Sequence, residues 1–154
     1  MTSPLRFCVR RQPTHGSDGP TITVSLAVPS DVTCVEEVVA LVTRHCFAGE
    51  VPEDRTRFRL QVALSEALAN AILRGNGEDA TKQVDIRVEL AATLIRIHVT
   101  DQGPGFDPRT VPEPLGPDSI LGPGGRGLFL IRKLVDSVEF NDQGNSICMT
   151  LRRR

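Results

Sequence analysis

QVDIRVELAATLIRIHVTDQGPG, residues 83–105, is the stretch that decides the fold class of this chain. Two runs of alternating apolar and polar residues, 83–90 and 93–100, are typical of half-buried strands, and the two alanines between them predict a β-hairpin. The second run ends at Asp101, where two glycines and a proline follow. Such a stretch disfavours a regular element, so the chain turns away from the sheet at this point.

Upstream of the hairpin, the pattern predicts an arm, a strand and a helix. Proline, glycine, serine and aspartate are concentrated just before residue 21, so residues 1–20 are expected to form a flexible N-terminal arm. The next segment, 21–28, alternates β-branched residues and predicts a strand. Asp31 then offers N-cap chemistry to an amphipathic helix over 32–47. The domain itself is expected to occupy residues 21–154.

A second helix and the C-terminal segments complete the predicted domain. The helix begins near Pro52, carries an apolar stripe of leucines and alanines, and ends at Gly75 and Gly77. Residues 103–127 contain seven glycines and six prolines, which predicts a long loop of a kind that is usually functional or disordered. A helix over 127–136 and two strands follow. This order predicts an α+β domain with a mixed, mostly antiparallel sheet and helices on one face.

The composition is that of an ordinary globular domain, and it disfavours several classes of function. Hydrophobic residues make up 40% and charged residues 24%, and the net charge is −1. There is no basic excess for nucleic-acid binding, and no apolar run approaches the roughly 20 residues that span a bilayer. The four cysteines lack metal-ligand spacing. We therefore expect a cytoplasmic protein with no direct nucleic-acid or membrane partner.

Three groups of residues could carry chemistry, and each also has an ordinary structural explanation. Glu66 and Asn70 are four residues apart in the second helix and project from one face, roughly 40° apart. They form either a hydrogen-bonded edge of the core or a base and a ligand for a hard cation. Asp101 either caps its turn or accepts a hydrogen bond from a flat ligand, which Gly103 and Gly105 would allow to approach.

The third group is the glycine-rich start of the last helix. Gly124, Gly125 and Gly127 allow close backbone approach, and exposed N–H groups at a helix start favour an anion such as phosphate. Arg126, between these glycines, would either add charge to that site or be solvated. Each group alone is ordinary, but the occurrence of all three in this order is not expected by chance.

The combination resembles the nucleotide-binding pattern of the superfamily of gyrase, histidine-kinase and mismatch-repair ATPases, the Bergerat fold. The matching order is Glu66-x-x-x-Asn70, Asp101-x-Gly103-x-Gly105, a loop and Gly125-x-Gly127. Within that superfamily, the segments SEALANAI, DQGPGFDP and GGRGLFLIRKLVDSVEF resemble the anti-sigma-factor serine/threonine-protein kinases of bacteria. Arg74 is a departure, since many relatives carry histidine close to this position.

This resemblance implies a role for each of the candidate residues. Asp101 would hold the adenine amino group of ATP, Asn70 would coordinate Mg²⁺ on the phosphates, and Glu66 would orient or deprotonate the attacking hydroxyl. The long loop would be a lid over the nucleotide. Glu66 is then the catalytic residue and Asn70 the metal ligand, and the implied cofactor-binding residues are Asn70, Asp101, Gly103, Gly105, Gly125, Arg126, Gly127 and Leu128.

The resemblance also implies a serine/threonine-protein kinase that phosphorylates an anti-sigma-factor antagonist protein, sequesters a sigma factor and forms a homodimer. One alternative is a switch in which nucleotide occupancy controls a protein interaction without phosphoryl transfer. Glu66 weighs against it, because a pure binder has less need of a base. Another is ATP hydrolysis coupled to motion, which is disfavoured because no transducer domain follows the fold in this sequence.

Overall fold

The computed structural model describes residues 6–12, 21–47, 54–105 and 123–153, which form an antiparallel sheet with helices packed on one face. The helices are α1 (Val35–Cys46), α2 (Asp54–Asn70) and α3 (Pro123–Leu134). Val32–Cys34 forms a 3-10 turn before α1, and Ala71–Gly75 forms a π turn after α2. The strands are β1 (Arg6–Gln12), β2 (Thr21–Pro29), β3 (Gln83–Leu90), β4 (Leu94–Thr100), β5 (Ser137–Phe140) and β6 (Ser146–Arg152).

The strands lie in the order β1-β2-β3-β4-β6-β5, and every pair in the described ranges is antiparallel. The predicted hairpin is formed by β3 and β4, with Leu90 opposite Ile95. The α+β fold class is therefore confirmed. The sheet was predicted to be mixed and mostly antiparallel, and its described part contains the antiparallel pairs alone.

Strand β1 lies within the segment predicted to be a flexible arm. It pairs with β2 from Arg6 opposite Ala27 to Gln12 opposite Thr21, so this part of the segment is an edge strand of the sheet. The sequence signal is weak because β1 contains few apolar residues, and its pairing is decided by β2 rather than by its own pattern. The domain boundary at residue 21 stays a prediction.

The core lies between the sheet and the helices. Alternate residues of the central strands are buried, as the period of two along a strand requires. The apolar stripe predicted for the second helix packs into this core, and its members are Leu60, Ala63, Leu64, Ala67 and Leu68 of α2 and Ala71 of the π turn. No helix in the described part of the chain is long and apolar enough to cross a membrane.

The N-terminal ends of α1 and α3 show one confirmed prediction and one correction. Asp31 caps the turn before α1 by accepting hydrogen bonds from the Thr33 N–H at 2.9 Å and the Thr33 hydroxyl at 2.6 Å. Helix α3 begins at Pro123, so the last residues of the predicted loop are helical. Proline favours this start because its fixed φ suits the first helical position. Residues 106–122 and the predicted helix start at Pro52 lie outside the described residues.

Arg59 joins α2 to the C-terminal end of α3 and to β6. Its guanidinium donates hydrogen bonds to the carbonyl oxygens of Leu134 and Arg152, and it forms an ion pair with Asp136 at 2.9 Å. Only 12% of the Arg59 side chain is exposed, so water cannot readily replace these bonds. This residue therefore fixes one end of α3 against α2.

We expect Arg59→Met to lower the free energy of unfolding by about 2–3 kcal/mol, because two carbonyl oxygens and a carboxylate lose a charged donor. Urea denaturation would measure this change. The matched control is Arg55→Met at an exposed position one turn earlier on α2, which should change stability by less than about 0.5 kcal/mol. Equal stability of the two variants would contradict the role of Arg59.

Candidate functional site

Glu66 and Asn70 project from the face of α2 that meets α3. Gly127 lies directly against both side chains: a β-carbon placed on it would be 2.9 Å from Glu66 Oε2 and 2.9 Å from Asn70 Nδ2. Glycine thus allows α3 to approach two polar groups that any larger residue would displace. The structure therefore brings together three of the residues that the sequence predicts, from two separate motifs.

Neither Glu66 nor Asn70 has a protein hydrogen-bonding partner within the described ranges. Both side chains are half-buried, and no other described group donates to them or accepts from them. A hydrogen-bonded edge of the core, the structural alternative for this pair, would require such a bond. The carboxylate and the amide are instead available to a ligand or to water.

Asp101 follows the last residue of β4 and is held by its backbone and by its side chain. Its N–H donates to the Asn145 carbonyl oxygen at 2.9 Å, and its Oδ1 accepts from the Gly103 N–H at 2.8 Å. That second bond is the turn cap expected of an aspartate here. No described group donates to Oδ2, so the cap uses one carboxylate oxygen and leaves the other available.

The Asp101 carboxylate packs against the backbone of Gly75. A β-carbon on Gly75 would overlap the carboxylate, and one on Gly103 would overlap the Gly75 carbonyl oxygen. Gly75 is therefore a further candidate site residue that the sequence does not reveal, because a glycine at the end of a helix usually serves only to terminate it. Its lack of a side chain lets the end of the π turn and the loop after β4 meet.

Gly105 has a different structural requirement. Its φ is +80°, in the left-handed region, and a β-carbon there would overlap the Gln143 carbonyl oxygen in the turn between β5 and β6. Both glycines of the loop are thus explained by packing against neighbouring backbone. Their predicted role in making room for a base stays a prediction.

The π turn connects the Glu66 and Asn70 pair to Asp101. It follows Asn70 directly and ends at Gly75, beside the Asp101 carboxylate. Its wider turn is closed by the Asn76 N–H, which donates to the Ala71 carbonyl oxygen at 2.8 Å. Such turns occur frequently at functional sites because they change the direction of the residues that follow.

The glycine-rich residues lie in the first part of α3, as predicted. Unpaired N–H groups of a helix belong to its first turn, which contains Gly125. Gly127 and Leu128 lie further along, and the Leu128 side chain is buried. The Arg126 side chain lies outside the described residues. Gly125 is thus the better candidate for an anion, whereas Gly127 contacts Glu66 and Asn70.

Burial raises the pKa of the Asp101 carboxyl above its ordinary value of 3.8, and the Gly103 N–H and the Lys82 charge oppose that shift. The folded protein therefore holds this proton to a higher pH than the unfolded chain does. Ionisation of Asp101 then costs stability, and the cost grows as pH rises from the ordinary pKa through the raised pKa and is constant above it.

We expect Asp101→Asn to become more stable relative to the natural protein as pH rises from about 4 toward neutrality, because asparagine has no carboxyl to ionise. Asparagine can still accept the Gly103 hydrogen bond, so the turn is retained. Urea denaturation of both proteins over this pH range would measure the difference, in which the other titrating groups cancel. A difference that stays constant or changes in the opposite direction would contradict the assignment.

Comparison with known proteins agrees with this geometry. The profile of the histidine kinase-like ATPase domain family matches residues 28–151, which include Glu66, Asn70, Asp101 and Gly127. The serine-protein kinase RsbW of Listeria innocua serovar 6a is 29% identical over 117 residues, covering 71% of this chain and 71% of that protein.

Two further relatives have the same name. RsbW of Listeria monocytogenes serotype 4b is 31% identical over 118 residues, covering 71% of both chains. RsbW of Bacillus licheniformis is 36% identical over 98 residues, covering 59% of this chain and 61% of that protein. The chain therefore belongs to the histidine kinase-like ATPase domain family, in the branch that contains the RsbW serine-protein kinases.

Proposed function

We propose that this protein binds ATP beside α2, the π turn, the loop after β4 and the start of α3, and transfers the γ-phosphoryl group to a protein. One observation carries the proposal: Glu66 and Asn70 meet Gly127 at one point, and neither side chain has a described protein partner. Membership of an ATPase family supports the nucleotide, and the name of the relatives supports a protein hydroxyl as acceptor.

In this proposal the nucleotide lies along the line from Asp101 to α3. The free Oδ2 of Asp101 accepts a hydrogen bond from the exocyclic amino group of adenine, while Oδ1 keeps its bond to Gly103. The first turn of α3, including Gly125 and Arg126, lies at the phosphate end, where unpaired N–H groups favour negative charge. Asn70 lies against Gly127 of α3, near the proposed phosphate end.

The residues present fit a magnesium ion that is held mainly by the nucleotide. No cluster of three or more histidine, cysteine, aspartate or glutamate residues in the described part of the chain could hold a metal. Mg²⁺ commonly binds through one or two protein oxygens, several waters and substrate phosphates. The amide oxygen of Asn70 would supply such a protein ligand. The bound ion would neutralise charge on the phosphates.

Glu66 is the proposed general base. Its carboxylate accepts the proton of a serine or threonine hydroxyl on the acceptor protein as the hydroxyl oxygen forms a bond to the γ-phosphorus. The bond from that phosphorus to the β,γ-bridging oxygen breaks, and ADP leaves with that electron pair. The contact with Gly127 keeps Glu66 and Asn70 on the same side of α3, so the base lies next to the phosphate end of the nucleotide.

The proposed acceptor is an anti-sigma-factor antagonist protein, and the second proposed partner is a sigma factor that the protein sequesters. Kinship with the RsbW kinases supports both partners. A switch that binds nucleotide without phosphoryl transfer would not need Glu66 to be free of protein partners beside Gly127. The homodimer stays a prediction.

Incubation with γ-labelled ATP, Mg²⁺ and the cognate antagonist protein tests the proposal. We expect label on a serine or threonine of the antagonist and none when Mg²⁺ is chelated. The control uses an antagonist whose acceptor hydroxyl is replaced by alanine. Failure to label an antagonist that is proven to bind the protein would contradict the kinase function.

Gly75→Ala is expected to lower ATP affinity about tenfold, because its β-carbon displaces the Asp101 carboxylate. Calorimetric titration with ATP would measure the affinity. Gly77→Ala is the matched control: its β-carbon enters open space, so the left-handed φ of +60° affects stability alone. Unchanged affinity in Gly75→Ala would show that Asp101 does not need its place against Gly75.

A further inference from the structure

Asn76 is a buried amide where three segments of the chain meet. Only 3% of the residue is exposed. Its Nδ2 donates to the Ser30 hydroxyl at 2.8 Å and to the Gln83 carbonyl oxygen at 2.9 Å. Its Oδ1 accepts from the Gln102 N–H at 2.7 Å. One side chain therefore joins the end of β2, the start of β3 and the loop after β4.

The hydrogen bonds of Asn76 determine its orientation. An asparagine amide has two donor hydrogens and one acceptor oxygen, and here both sides of the amide are engaged. A rotation of the amide would place donors against the Gln102 N–H and an oxygen against the Gln83 carbonyl. A buried network that is satisfied in one arrangement only is rigid, because every alternative leaves unpaired groups.

The N–H that Asn76 holds belongs to the residue directly after Asp101. Asp101 is also held from the opposite side, since Asn145 accepts from its N–H at 2.9 Å and donates through Nδ2 to its carbonyl oxygen at 3.1 Å. Asn145 therefore holds the peptide groups on both sides of the Asp101 α-carbon, and Asn76 holds the N–H of the second of these peptides. Together these three hydrogen bonds leave the Asp101 carboxylate little freedom to change direction.

We propose that Asn76 is a positioning residue for base recognition: by holding the Gln102 N–H, it keeps Oδ2 of Asp101 in the orientation that accepts the amino group of adenine. Asn76 acts through Asp101 and does not contact the nucleotide. The inference rests on the proposed function, because the effect of Asn76 on Asp101 is detected through the binding of adenine.

A double-mutant cycle between Asn76 and Asp101 tests this role. The ligands are ATP and purine riboside triphosphate, which lacks the exocyclic amino group, and the readout is the ratio of their dissociation constants. We expect Asn76→Ala to reduce the preference for ATP about tenfold. In the Asp101→Asn background the same substitution should change the ratio less than about twofold, because the two residues act as a unit.

Ser30→Ala is the matched control. Ser30 is buried, accepts from Asn76 Nδ2 and donates to the Lys82 carbonyl oxygen at 2.8 Å. Its loss costs stability at the same junction but leaves the bond from Gln102 to Asn76 intact, so the ratio should stay as in the natural protein. Retention of the full ATP preference by Asn76→Ala would overturn the proposal, as would an equal reduction in both Asp101 backgrounds.

Hydrogen exchange in the natural protein gives a second test that does not depend on the folding of a variant. The N–H of Gln102 should exchange slowly without nucleotide, close to the rate of core strand amides, because a buried side chain accepts from it. Exchange at the rate of an exposed loop would overturn the proposal. If the natural protein binds neither nucleotide, the proposed function fails, and the positioning role fails with it. ATP binding with no effect of Asn76 overturns the positioning role alone.

Discussion

Glu66→Gln is expected to lower phosphoryl transfer to the antagonist at least about 100-fold, while ATP affinity changes less than about twofold. Glutamine keeps the size of the side chain against Gly127 but cannot accept the proton of the attacking hydroxyl. Initial rates of antagonist phosphorylation and calorimetric titration with ATP would measure the two effects separately. A large loss in rate without a loss in affinity is the signature of an interaction made in the transition state.

Glu139→Gln is the control for the change in charge, because Glu139 is exposed on β5, away from α2 and α3. It should keep the natural rate. A Glu66→Gln protein that phosphorylates at the natural rate would contradict the general base. An unaltered response of partner binding to ATP, together with no transfer in the natural protein, would instead favour the switch without phosphoryl transfer.

Asp101→Asn is expected to weaken ATP binding roughly 10- to 100-fold, corresponding to a buried mismatch of about 1–3 kcal/mol. Asparagine can keep the bond from Gly103 through its carbonyl oxygen. Its amide nitrogen then replaces Oδ2, and a donor faces the donor of the adenine amino group. The same substitution should stabilise the free protein relative to the natural one near neutral pH, since a half-buried ionised carboxyl is removed.

These opposite effects separate a site residue from a structural one. If Asp101 only capped its turn, Asp101→Asn would keep both stability and ATP binding, because asparagine keeps the bond from Gly103, whereas we expect this variant to lose binding alone. Asp85→Asn, on the exposed side of β3, makes the same chemical change outside the site and should leave ATP affinity unchanged. Calorimetry that finds equal affinity for Asp101→Asn and Asp85→Asn would contradict adenine recognition by Asp101.

Much of the fold could be predicted because local pattern and tertiary packing agree. β3 has the predicted bounds, since its alternation of apolar and polar residues is uninterrupted from Gln83 to Leu90. The stripe on α2 was also correct, because a single helix face packs on the sheet. β1 could not be predicted, because an edge strand of few apolar residues takes its register from β2.

The candidate site could be predicted only in part, because local motifs do not contain the packing that brings its residues together. Glu66, Asn70 and Gly127 belong to recognisable motifs, but their meeting depends on how α3 packs on α2. The spacing of the apolar residues does not indicate the π turn. In the sequence, Asn76 lies between two glycines and cannot be distinguished from an ordinary turn residue. Its burial follows from the convergence of three segments that are distant in sequence, which no local pattern contains.

The central claim is that ATP binds beside α2, the π turn, the loop after β4 and the start of α3. An NMR titration of the isotope-labelled protein with ATP and Mg²⁺ tests it most directly. The account predicts that the amide signals of Asn70, Gly75, Gly103 and Gly127 shift strongly, and that those of Ser25 and Arg87 on the opposite face of the sheet do not. Saturating ATP that shifts no signal, or shifts only the sheet face, would contradict the account.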